Sequence, residues 1–174
     1  VGGDIHIPFD PWELYFDNPR VLNRISNFNL LRAKLHVKIL INGNGFQYGR
    51  AIASYLPLQS YDNFSSNSAI VRNDIVQASQ QPHIYLDPTT SMGGEMVLPF
   101  MFHKNYVNIP KSEWNRLGDM TIRSINTLKH ANGASDVATV SVFAWAEDVS
   151  LSGLTSVDTN SLVPQAGAET EVDE

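Results

Sequence analysis

The residues able to do chemistry are few and scattered. The chain has five histidines, His6, His36, His83, His103 and His130, and no cysteine. Thiolate metal sites, disulfides and cysteine nucleophiles are therefore excluded by composition. No two histidines stand at i+2 or i+4, the spacing that would put two imidazoles on one side of a strand or helix as a local metal pair. Each reads instead as a hydrogen-bonded strand residue. Gly43, Gly45 and Gly49 loosely imitate a phosphate-cradling loop, but Tyr48 stands where the third glycine of G-x-G-x-x-G belongs. That segment also leads into a strand rather than a helix N-terminus. Glu147 and Asp148 are adjacent and so point to opposite faces of a strand, which is poor geometry for paired acid and base work. No G-x-S-x-G elbow is present. The sequence predicts no catalytic residue, no cofactor-binding residue and no metal ligand.

What must be positioned, then, is a surface. Period-2 alternation dominates the chain. Leu35, Val37, Ile39 and Ile41 alternate with His36, Lys38 and Leu40 up to Asn42-Gly43-Asn44-Gly45, where Asn and Gly tolerate a tight turn. A second strand from about Tyr48 to Leu56 is expected to pair with the first as a hairpin. Further strands are predicted at His83 to Leu86, Glu95 to Phe102, Met120 to Lys129 and Val137 to Leu151. Short helical segments are predicted within Ala69 to Ser79, and after Ser112 through Trp114 and Leu117. Many short strands without regular βαβ alternation predict an all-β sandwich with Greek-key crossings.

Charged residues make up 17% of the 174-residue chain, against about 25% in ordinary soluble domains. A subunit that buries much of its outside against neighbours needs less charge than a free monomer. The last strand repeats that message. Val140, Val142, Ala144 and Ala146 fall on one face and Phe143, Trp145 and Val149 on the other, although a half-wet strand should be polar at alternate positions. Phe143 and Trp145, with the aromatic group Trp12, Tyr15 and Phe16, are the candidate subunit-interface residues. Between Arg20 and Arg50 there are six basic residues and no acidic one, while the net charge of the chain is −6. Arg20, Arg24, Arg32 and Lys34 are candidates for a surface facing RNA or an acidic neighbour, although overall acidity argues against strong nucleic-acid binding. The polar, unpatterned stretch Ser60, Tyr61, Asp62, Asn63, Phe64 is a candidate surface loop. No apolar run approaches the ~18 residues that cross a bilayer, and no membrane span is expected.

Several stretches together carry a family resemblance. Asn29-Leu30-Leu31-Arg32-Ala33-Lys34-Leu35-His36-Val37-Lys38 leads to Ile41-Asn42-Gly43-Asn44, Tyr48-Gly49-Arg50 and Tyr55-Leu56-Pro57-Leu58. Gln81-Pro82-His83-Ile84-Tyr85-Leu86-Asp87-Pro88-Thr89-Thr90-Ser91 precedes Gly94 and Val97-Leu98-Pro99-Phe100. Leu128-Lys129-His130-Ala131-Asn132-Gly133 and Val142-Phe143-Ala144-Trp145-Ala146-Glu147-Asp148-Val149 follow. In this order they resemble the coat proteins of picorna-like viruses of the dicistrovirus, iflavirus and marnavirus type, over roughly residues 10 to 152. The resemblance implies an eight-stranded jelly roll and a structural role in a small non-enveloped icosahedral virion. Three related subunits cut from one polyprotein would form a pseudo-T=3 shell around positive-strand RNA. This chain is most similar to the first-encoded subunit, viral protein two.

The expected partners are the other coat subunits and, weakly and non-specifically, the genomic RNA, with assembly in the host cytoplasm. The sequence does not identify a host receptor. The expected organisation is an N-terminal arm or first strand at 1–16, the jelly roll at 17–152 and an extended acidic arm at 153–174. The first strand must come from residues 1–16 or be missing. A carbohydrate-binding jelly-roll module is the competing reading, and a small hydrolase or cupin-type enzyme a weaker one.

Overall fold

The computed structural model describes residues 4–61, 75–115, 117–133 and 137–155, without the side chains of residues 4–7 and Ser60. In chain order the elements are β1 (Asp4–Phe9), α1 (Pro11–Phe16), α2 (Pro19–Ile25), β2 (Phe28–Asn42), β3 (Gln47–Pro57), a 3-10 turn (Gln59–Tyr61), α3 (Ile75–Gln80), β4 (His83–Leu86), β5 (Gly94–Leu98), β6 (Val107–Asn108), β7 (Gly118–His130) and β8 (Thr139–Leu154). The strands form two antiparallel sheets. One has the order β1-β7-β3-β4. The other is built on β2, which β8 pairs along its whole length, while β5 and then β6 take the opposite edge. The chain crosses between the layers repeatedly, and the result is a jelly-roll sandwich.

β2 sets the core. Its burial alternates as the sequence does: Leu31, Ala33, Leu35, Val37, Ile39 and Ile41 face inward and are buried, with Arg32, Lys34, His36, Lys38 and Leu40 between them. Each large aliphatic side chain fully buried here contributes about 1.5–3 kcal/mol. The facing sheet supplies Ala51, Ala53 and Tyr55 from β3, and Met120 and Ile122 from β7. Outward Ile52 and Ser54 are also buried; α3, with Ala78 buried, packs against β3 on the described side.

Four expectations need correction. β2 and β3 are not a hairpin: they lie in different sheets, and the Asn42–Gly45 turn carries the chain across the core. Both strands present apolar residues to the same interior, and opposite layers satisfy that demand as well as adjacent strands would. The expected Glu95 to Phe102 strand stops at Leu98, because Pro99 cannot donate to a ladder. Ser112 does not cap a helix. Its φ of 47° is left-handed, whereas a helix N-cap is extended, and residues 109–115 form hydrogen-bonded turns. Finally, Trp12 and Phe16 are not interface residues but core. Asp10 accepts hydrogen bonds from the Trp12 and Glu13 amides, Pro11 opens the helix, and α1 turns both rings inward to 1% and 2% exposure.

Both deep indoles find polar partners. Trp12 Nε1 donates to the Tyr55 hydroxyl at 2.9 Å, and that hydroxyl donates to the Leu117 carbonyl at 3.4 Å. Trp114 Nε1 donates to Asp17 Oδ1 at 2.8 Å, and its ring packs on Phe16 at 5.7 Å between centroids. Burial holds the Tyr55 phenol protonated well beyond its usual range. Tyr55→Phe leaves the Trp12 N–H without an acceptor, and denaturant titration is expected to show a loss of about 1–3 kcal/mol. Gly118→Ala is expected to destabilise as well, since an added Cβ would strike the Tyr55 ring.

Candidate interaction surface

The outward face of the β2 sheet collects side chains from three strands. β2 contributes Arg32, Lys34, His36, Lys38 and Leu40 at its even positions. The register sets Lys34 opposite Glu147, His36 opposite Trp145, Lys38 opposite Phe143 and Leu40 opposite Ser141 on β8. On the other side it sets His36 opposite Val97 and Lys38 opposite Glu95 on β5. Val97 and Phe143 are half exposed, Phe143 at 53%.

His36 is the centre of this face. Its Nδ1 lies 2.9 Å from Glu95 Oε1 and its Nε2 lies 3.1 Å from Glu147 Oε2. The Trp145 ring stacks on the imidazole at 5.2 Å with 22° between planes, and its Nε1 donates to Glu147 Oε1 at 3.1 Å. Just beyond, Asp148 takes a left-handed φ of 50°. A step of two residues on β2, from Arg32 to Lys34, is matched by a step of three on β8, from Glu147 to Ser150. This is a bulge, and the Lys34 ammonium 2.6 Å from Asp148 Oδ2 clasps it.

β8 is paired along one edge. Its other edge has no strand partner among the described residues, apart from the Ala146 N–H, which donates to the Tyr15 hydroxyl at 3.3 Å. The interior beside that edge is open. A cleft of about 640 Å³ is walled by Val140, Val142 and Ala144 of β8, Phe9 of β1, and the α1–α2 segment. Val142 points inward, opposite buried Ile39, yet is 43% exposed.

The sequence candidates fall in different places. Phe143 and Trp145 lie on the outward face. Tyr15 is half-buried, tying α1 to β8. The basic residues do not gather. Arg20 borders the cleft, Arg24 is exposed in the last turn of α2, and Arg32 stacks over Phe100 at 5.1 Å. Lys34 is paired with Asp148. Tyr61 is exposed and packs edge-on against Phe102 and His103; Ser60 lies in the 3-10 turn, and Asp62, Asn63 and Phe64 lie outside the described residues. Sequence analysis missed Glu95 and Glu147 as partners of His36. Among the described residues no group of three or more His, Cys, Asp or Glu side chains is arranged to hold a metal, and no helix is long and apolar enough to cross a membrane.

No family model matches the chain. A chain in the structure of a marine algae virus of the order Picornavirales is 43% identical, with a TM-score of 0.80 over 90% of this chain and 73% of that one. The structural polyprotein of acute bee paralysis virus (strain Rothamsted) is 28% identical over 146 residues, which is 83% of this chain and 16% of the polyprotein. The chain thus spans about a sixth of the curated relative it matches. A chain of black queen cell virus shares the fold at 16% identity and a TM-score of 0.77, over 88% of this chain and 63% of that one.

The bulge clasp has a defined pH window. Lys34 hydrogen-bonds to the Asp148 carboxylate and holds it below the usual 3.8, and the same bond raises Lys34 above 10.5. A depressed carboxylate stabilises above its unfolded value and loses that contribution as pH falls through the folded one. A raised lysine loses its contribution only as pH climbs through its folded value. A double-mutant cycle of Asp148→Asn and Lys34→Met, followed by thermal unfolding, is expected to give constant coupling between about pH 5 and pH 9 that fades in stronger acid.

Proposed function

The chain belongs to the capsid proteins of picorna-like viruses, and from that premise we propose that it is one of three related jelly-roll subunits, cut from one polyprotein, that tile a pseudo-T=3 icosahedral shell. In this reading it occupies the position of viral protein two. It assembles with its sister subunits in the host cytoplasm and encloses a positive-strand RNA genome, which it touches weakly and without sequence preference.

The observation that carries the reading is the condition of β8. A sixteen-residue strand with one edge unpaired among the described residues is a template for further strand pairing, and soluble proteins cover or blunt such edges. Here the edge stands beside an apolar cleft, and the opposite face of the same strand presents Phe143 and Trp145. Water over all three is costly; protein over them is stabilising, at roughly 25 cal/mol per Å² of apolar surface covered. A strand laid along that edge would place alternate apolar side chains in the cleft and add a fifth strand to this sheet beside β8. Neighbouring subunits would cover the outward aromatics as an interface core with a charged rim of Lys34, Lys38 and Glu95. The low charge of the chain accords with an outside shared among several contacts.

Co-expression with the sister subunits tests this directly. Phe143→Lys is expected to leave the circular dichroism of the chain unchanged and to cut the yield of sedimenting particles by about tenfold or more, as loss of an aromatic anchor does. Particles at full yield from that variant would remove the outward face from the assembly contacts. Failure of the unaltered chain to form any particle with its sisters would defeat the shell reading.

A further inference from the structure

We infer that His36 is a proton-operated latch that ties β5 to β8 across β2 and sets the position of Trp145. Both ring nitrogens of His36 lie within hydrogen-bond distance of a carboxylate oxygen, on two different strands. Only the imidazolium has two N–H donors; a neutral ring offers one donor and one lone pair. The charged ring is therefore held from both sides, hydrogen-bonded to Glu95 and within ion-pair distance of Glu147. Once the proton leaves, a lone pair faces a carboxylate and one contact must open. Trp145 is stacked on the ring at 5.2 Å, so the positions of the imidazole and the indole are tied.

The geometry indicates which contact yields. Nδ1 to Glu95 is the shorter, at 2.9 Å, and keeps its N–H. Nε2 then faces Glu147, at 3.1 Å and on the more exposed of the two carboxylates. Glu147 swings away and takes with it the acceptor of the Trp145 indole N–H. The charged groups facing His36 are Glu95 from β5 and Glu147 from β8. Asp148, one residue on, is engaged by Lys34, and Lys34 and Lys38 flank His36 on its own strand. Histidine is the side chain whose charge ordinarily changes between about pH 5 and 8, well separated from the acid and alkaline limbs of the Lys34–Asp148 clasp. The latch is a property of the chain and holds whether or not it is assembled.

Hydrogen exchange of the full chain, corrected for the intrinsic pH dependence of exchange and read on peptides covering residues 143–151, tests the latch. Protection is expected to fall about tenfold between about pH 5 and pH 8, as loss of a charge-assisted bond predicts. Peptides covering β7 serve as the control. His36→Gln, which cannot titrate, is expected to abolish the step, whereas His83→Gln is expected to preserve it. Should His36→Gln fail to fold, Glu147→Gln provides the second arm, since its amide can donate to the neutral ring and also removes the step. Equal protection of the unaltered chain at both pH values overturns the inference, as does a step that survives in His36→Gln or Glu147→Gln.

Discussion

Along β2 both backbone edges are occupied at the same residues: Leu35 through Ile39 pair with β5 on one side and β8 on the other. Its inward side chains are fully buried. A slip of one residue would send Leu35, Val37 and Ile39 into solvent and draw Arg32, Lys34 and Lys38 into the core, at a cost of many kcal/mol. The register of β2 is thus held from three directions. The outward face, the meeting of His36 with two carboxylates, and the line of the open cleft all inherit their geometry from it.

That register was legible in the sequence, because strict alternation over Leu35 to Ile41 is a local signal. Crossing between sheets is not local. Asn42-Gly43-Asn44-Gly45 has the composition of a hairpin turn, yet the two strands it joins belong to opposite layers, and only the global demand to share one core decides between these outcomes. The helices before β2 were legible in principle. Asp10-Pro11 and Asn18-Pro19 each set an N-cap oxygen beside a proline at the first helical position, and helical spacing of Trp12 and Phe16 puts both rings on one buried side. Read without those caps, the same aromatics stood as candidate subunit-interface residues.

The surface was half legible. Phe143 and Trp145 were visible as misplaced apolar residues in a strand that should be wet on one side. The latch was not visible, since Glu95 is 59 positions from His36 and neither carboxylate carries a local mark of the partnership. The basic run from Arg20 to Arg50 misled for the opposite reason. Proximity in sequence implied a patch, but the fold distributes Arg20 and Arg24 to a helix by the cleft and Arg32 and Lys34 to a sheet face, where Phe100 and the Asn105 carbonyl engage Arg32 and Asp148 engages Lys34.

The extra residue at Asp148 makes β8 two half-strands of opposite parity. Before it, odd-numbered side chains such as Phe143 and Trp145 share the outward face; beyond it, Ser150 and Ser152 stand opposite Arg32 and Leu30, so even numbers take over. An exposed stripe on this strand is consequently not a simple every-second-residue series, and a relative lacking that one inserted position would pair regularly and keep the residues answering Ser150 and Ser152 opposite the same β2 partners. A change of one residue in length at Asp148 can therefore be absorbed without altering which surface the end of the strand displays, whereas the same change in the regular stretch before it would turn that stretch over.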